Sequence, residues 1–356
     1  MSAHLDRRGF LRLAGAAAGA AALTACGPNL TRSAGASGGN LKINSFGGTF
    51  QSAVQKSVAD PFTAKTNVGV DLITATSSDA LTRMRAANNA FDLAYLDLAP
   101  LYQAKAAGLL QKLDRSLLPS VPDLYPLAVD PDGYWIAELA SMTGIVYNTE
   151  RVRVPPTSWH DLWDPRYRGK VAICTVSGTA GYHFLATAAR LNGGGEANID
   201  PGFTAIADLK PSLAGIYSTP DEMSKLLTSG EADIGVWYAD RTSALKSSGA
   251  PVAFVQPAEG STAILSAMCV PSASSRVKDA HAYLDFQISA DVNGKFVQTI
   301  AEGPTNSKVQ LPKSFLDANY VPYGQDQIRS LVQLDNEAIS RSLSEWITRW
   351  QKEIAN

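Results

Sequence analysis

The stretch Thr219–Arg241, TPDEMSKLLTSGEADIGVWYADR, constrains the fold most, because it spells a helix, a stop and a strand in succession. Thr219 and Glu222 have the spacing of a capping box, Pro220 suits the first helical position, and Met223, Leu226 and Leu227 make an apolar stripe. Gly230 can close that helix in a left-handed conformation. Ala232–Trp237 then reads as a short buried strand. Ligands of open α/β sheets bind beyond the carboxyl ends of the strands, so Trp237, Tyr238, Asp240 and Arg241 are expected to face a cleft. An ordinary helix–strand corner with a solvated Asp240–Arg241 ion pair would have the same pattern.

Similar alternation runs along the rest of the chain. Leu41–Asn44 reads as a strand leading into Phe46-Gly47-Gly48-Thr49, after which Phe50, Val54 and Val58 recur at helical spacing until Pro61. Val68–Ile73 is a second strand, Ser78–Ala87 a helix, and Phe91–Asp97 a third strand whose last residue, Asp97, falls at the cleft. Trp135–Asn148 is long enough to cross between two lobes. Gly169–Cys174 leads through Thr175–Gly181 into a helix from Tyr182 to Leu191, and Ile264–Val270 reads as a returning strand that carries Ser266. Strands alternating with helices imply right-handed crossovers and a mainly parallel sheet. Leu343, Trp346, Ile347 and Trp350 define a C-terminal amphipathic helix whose tryptophans belong to a core.

Two helix starts, at Gly47-Gly48-Thr49 and at Ser177-Gly178-Thr179, put small residues where unsatisfied amides and the positive dipole end converge. Such ends in opposite lobes can grip an anionic group, although Gly, Ser and Thr serve as plain caps and turns just as readily. No Gly-Lys-Ser/Thr follows either loop, which argues against a nucleotide, and no cofactor motif is present.

Arg7-Arg8-Gly9-Phe10-Leu11, an apolar run from Leu13 to Leu23 and Leu23-Thr24-Ala25-Cys26-Gly27 form a twin-arginine export leader (residues 1–25) with a lipoprotein processing site. Cys26 is the expected lipidation site, and residues 26–40 a flexible tether. Removing the leader leaves 28 basic and 32 acidic side chains, a balance that does not favour nucleic acid. Roughly 315 residues then remain, more than one core usually holds. Cys174 and Cys269 sit in apolar strand-like runs and are expected as buried free thiols, with a disulfide between them the alternative. The scattered histidines give no metal or triad signature.

The segments TSWHDLWDPRYRGKV, GEADIGVWYADR, GAPVAFVQPAEG and GPTNSKV, in this order, resemble the solute-binding proteins of ABC importers, in the branch that includes the spermidine/putrescine binders. The resemblance implies a two-lobe type II periplasmic-binding-protein fold, each lobe a mixed, mainly parallel sheet flanked by helices. Lobe 1 is placed at residues 41–141 and 266–308, and lobe 2 at 142–265 and 309–356. It further implies a monomer on the outer face of the cytoplasmic membrane that captures a small solute and delivers it to a permease and its ATPase, without chemistry. Trp237 matches the family's aromatic that packs on the ligand, and Phe46 falls where that branch has another. A polyamine site would present acids in Thr175–Gly181 and an aspartate at Ser266, and this chain has neither. The reading is therefore a charged solute of amino- or guanidino-acid type, or polyamine-like, with Arg241 on a carboxylate and Asp97 or Asp240 on an amine. The alternatives are a ferric-ion binder, which would want neighbouring tyrosines, and an exported hydrolase.

Overall fold

The computed structural model describes residues 39–86 and 90–355; the leader, Cys26 and most of the tether lie outside the described residues. Ten strands form one sheet: β1 (Leu41–Ser45), β2 (Val70–Thr74), β3 (Leu93–Asp97), β4 (Trp135–Asn148), β5 (Val171–Cys174), β6 (Leu213–Tyr217), β7 (Ile234–Tyr238), β8 (Val252–Val255), β9 (Thr262–Cys269) and β10 (Gly303–Pro304). Their order is β2-β1-β3-β9-β4-β7-β5-β6, with β8 and β10 also pairing β4. Parallel pairs occupy both flanks and antiparallel pairs the middle, so the alternation of strand and helix set the flanks while returning strands set the centre.

The centre is β4, buried along its whole length. Ala140 pairs with both Leu265 of β9 and Gly303 of β10, and Ile145 with both Val236 of β7 and Val255 of β8. Each edge of β4 therefore holds two strands end to end, β9 then β8 on one side and β10 then β7 on the other. Two apolar cores meet along it. The first takes Leu139, Ala140 and Met142 of β4 with Phe62, Leu93, Tyr283 and Phe296; the second takes Ile145 and Val146 with Phe184, Trp237, Trp346 and Trp350. Only Thr143 and Gly144 separate them on this strand. Val309, Leu311, Val321, Ile328 and Leu331 pack into the first core, and the chain enters the second at Leu334. Residues 309–331 thus join the first core and not the second, where the sequence reading put them; their two short helices, Lys313–Ala318 and Gln325–Ser330, carry too little periodicity to reveal it.

Local signals mostly read true. The capping boxes at Thr219 and Ser158 form, Gly230 adopts φ 78°, and β4 has the expected bounds. Pro61 does not end its helix. A π-helical turn at Gln55–Ala59 precedes it, so the helix runs on to Thr66, capped by left-handed Asn67. Cys174 and Cys269 are buried free thiols. No helix among the described residues is long and apolar enough to cross a membrane.

Gly144 marks where the cores adjoin, and a Cβ there would stand 2.7 Å from the Val255 carbonyl, 2.9 Å from Ser261 Oγ and against the Phe254 ring. Two of these neighbours are a strand backbone and a buried residue, which cannot swing away. Gly144→Ala is expected to lower unfolding free energy by about 1–3 kcal/mol in urea titrations, the usual cost of overpacking; an unchanged midpoint would show the crossing to be looser than described.

Candidate functional site

A cavity of about 460 Å³ opens where residues of both cores face each other. Its floor is the pleat of the central strands. Ser266 pairs with Asp97 on one side and Leu139 on the other, forming one rung; Ile264 and Ser141 form the next. All five side chains line the cavity, because residues two apart on a strand share a face. Phe46, Gly47, Gly48 and Thr49 form a wall, with the Phe46 ring tilted against Phe50 at a centroid distance of 4.8 Å. Gly47 and Gly48 have φ 79° and 53°, and a Cβ on Gly47 would stand 2.8 Å from Thr74 Cγ2, so glycine is required where the chain turns from β1 into the helix. Thr179, Pro220, Tyr238, Asp240 and Arg241 face them from the opposite side.

Three positions fall elsewhere than the sequence reading put them. Trp237 is 1% exposed and packs in the second core, because the pleat turns it away from the face that Tyr238 presents. Ser177 is exposed and Gly178 caps the helix at Thr179; neither lines the cavity. The second helix start is also less open to an anion than its composition implies, since the Ala180 amide donates to the Tyr238 hydroxyl at 3.0 Å. Burial drives the Tyr238 hydroxyl pKa upward, and Trp237 beside it is not a second tyrosine. His183 is likewise no candidate base: it is buried beside Thr143 of the crossing strand, at 3.0 Å, and burial lowers its pKa to about 3.

The fold adds acids that sequence reasoning missed. Glu302 lines the cavity, carried there by the pairing of Gly303 with Ala140. Its Oε2 and the Ser141 hydroxyl lie near each other, both shielded from water and without a hydrogen-bond partner among the described residues. Burial pushes the Glu302 carboxyl well above its ordinary range, and the Asp240 charge pushes it further, while Ser141 and Arg241 oppose. Burial also raises Asp240, against the pull of Arg241, whose Nε stands 3.4 Å from Asp240 Oδ2. Asp97 opens to solvent in the cleft; the protein around it raises its carboxyl, and a 2.8 Å bond from Ser77 Oγ pulls it back. Beneath the floor lies Glu138, 0% exposed, at a break in the β4–β9 register. Glu302 and Glu138 gave no local signal, because only strand pairing brings them to the site.

One asparagine ties these pieces together. Asn293 donates to the Glu138 carbonyl at 2.6 Å and accepts from the amides of Thr305 and Asn306 at 3.1 and 3.2 Å. Asn306 in turn donates to the Ile288 carbonyl at 2.8 Å.

The sequence profile described as bacterial extracellular solute-binding protein matches residues 92–331. A Haemophilus influenzae protein is 27% identical over 200 residues, 54% of this chain and 56% of that one. Spermidine/putrescine-binding periplasmic protein 1 of the same organism is 24% identical over 285 residues, 76% of this chain and 78% of that one. The crystal structure of an ABC transporter protein from Clostridium perfringens superposes with a TM-score of 0.81 at 23% identity, covering 88% of this chain and 100% of that one.

If Trp237 is core and not ligand surface, Trp237→Ala should cost about 3–5 kcal/mol of unfolding free energy, measured by chemical denaturation. A loss below about 1 kcal/mol would return the ring to the cleft.

Proposed function

The chain belongs to the bacterial extracellular solute-binding proteins, and we propose that it captures a small amine-bearing solute for an ABC importer. The carrying observation is the charge of the cavity: Asp97, Asp240 and Glu302 line it against a single guanidinium, Arg241. Glu302 and Asp240 are largely shielded from water, where an acid is costly unless a cation answers it. Phe46 and Phe50 offer aromatic surface for the hydrocarbon or ammonium of the same solute. The name of the Haemophilus spermidine/putrescine binder supports this choice.

The sequence reading marked a polyamine down because Thr175–Gly181 and Ser266 lack acids, and Glu302 supplies one from another loop. Arg241 has its Nε beside Asp240 while its side chain is 54% exposed, which leaves the fork able to take a carboxylate on the same solute. Amino- and guanidino-acids and diamines thus fall in one class, told apart by Arg241. The two cores act as lobes that close over the solute about Thr143-Gly144, and the solute passes unchanged to a permease and its ATPase. A twin-arginine leader exports the chain and, after its removal, a lipid on Cys26 holds the mature protein, as a monomer, at the outer face of the cytoplasmic membrane. Bacterial extracellular solute-binding proteins are transport proteins, not enzymes.

In thermal-shift measurements putrescine, spermidine, arginine or 4-aminobutyrate should raise the melting temperature, and succinate should not. A shift by succinate alone would sink the amine assignment. Asp240→Asn should weaken the responding amine about 10–100-fold by isothermal titration, the scale of one hydrogen bond to a charged group. Arg241→Ala should weaken arginine and 4-aminobutyrate yet leave putrescine within about twofold, as a fork reserved for carboxylates requires.

A further inference from the structure

Glu138 is a fully buried acid with both carboxyl oxygens lacking any hydrogen-bond partner among the described residues. It is placed by a bulge: Ala137 pairs with Ala267 and Leu139 with Ser266, so Glu138 is the extra residue that no partner opposes. Bulges re-aim one side chain out of the pleat and bend the strand, and they gather beside functional sites. This bulge is pinned, since Asn293 bonds the Glu138 carbonyl.

Ser266 is the side chain that approaches the Glu138 carboxyl; the residue lines the cavity and is 5% exposed, with its hydroxyl shielded from water and unpartnered among the described residues. The charged and titratable groups facing Glu138 are Tyr95 and Asp97 of β3, Cys269 of β9 and Tyr283 of the helix Val277–Ile288. All are neutral or acidic. A buried carboxylate without a cation is costly, so the empty protein keeps this group protonated. Burial lifts its pKa to about 8, with Asp97 adding to the rise and Ser266 opposing it.

Resting on the amine reading above, we propose that Glu138 is a proton-exchange residue of the solute site, neutral when the cavity is empty and ionised when an ammonium sits against Ser266 and Asp97. The O–H bond of the Glu138 carboxyl breaks and, once the arriving solute has opened the shielded Ser266 hydroxyl to the cavity, the proton passes by way of that hydroxyl to cavity water and then to buffer. The Ser266 O–H turns to donate to the new carboxylate, and its lone pairs face the ammonium. One positive charge enters the site and one leaves. Glu138 touches no solute and acts through Ser266 as a positioning residue.

The sign follows from the raised pKa. Below about pH 8 the ammonium must displace a proton, so affinity should rise about tenfold per pH unit from pH 6 to 7.5 and level off above pH 8. Without solute the folded protein holds a proton the unfolded chain loses near 4.5, so unliganded stability should fall as pH rises from 4.5 towards 8.

The experiment is isothermal titration of the full mature chain with putrescine, arginine and 4-aminobutyrate, in phosphate and in Tris at pH 7. The difference in heats counts protons released. Glu302 also lines the cavity with a raised carboxyl, so the test is a difference: wild type should release about one proton more per amine bound than Glu138→Gln. The variant should lose the pH slope, so its deficit against wild type should be smallest at pH 6 and reach at least about tenfold at pH 8.5. Should Glu138→Gln not fold, Ser266→Ala carries the test and should cut proton release with the fold intact by circular dichroism. Wild-type binding without proton release, or release undiminished in Glu138→Gln or, where that variant does not fold, in Ser266→Ala, overturns this inference alone. Wild type that binds none of the three amines overturns the amine reading and the inference together.

Discussion

A strand buried along all fourteen of its residues must find partners for its backbone on both edges, and β4 finds them by splicing two strands end to end on each side. That requirement shapes the molecule. Because unpaired amides and carbonyls in an apolar interior are costly, β7, β8, β9 and β10 are all committed to one line. The two cores therefore cannot drift apart, yet between Met142 and Ile145 only Thr143 and Gly144 carry the strand from one to the other. The cavity lies beside this junction, over the rungs of β4 that carry Leu139 and Ser141.

The legible part of the sequence was local. Capping boxes, the left-handed Gly230, the length of β4 and the acid at the end of β3 are each decided by a few neighbouring residues, and the structure keeps them. Errors arose where a longer-range rule competed. Trp237 and Tyr238 are adjacent, and which of them meets the cleft depends on the phase of a strand only five residues long. Pro61 carries a general helix-ending signal, overridden here by the wider turn before it. The helix Asp200–Leu209 and strand β6 were not read at all, since their patterns are short and broken by Pro and Gly.

The charge of the site was the least legible property. Tyr238, Asp240 and Arg241 come from one contiguous stretch, and their place at a strand tip could be read directly. Glu302 reaches the same space only because a two-residue strand pairs with Leu139 and Ala140, and Glu138 lies beneath it only because the register slips by one residue. No periodicity reports either event. A reading that counted acids near the family's aromatic positions therefore saw too few.

Asn293 gives this arrangement a further property. A single side-chain amide holds the slipped residue of β4 with one end and the turn after Glu302 with the other. Both belong to the first core, so one side of the cavity is tied together by bonds internal to that core. The ordering entropy left for the encounter then falls on the opposite wall, around Thr179 and Tyr238. Diversification within such a scaffold would accordingly proceed fastest there, with the mould kept constant and the counter-face exchanged.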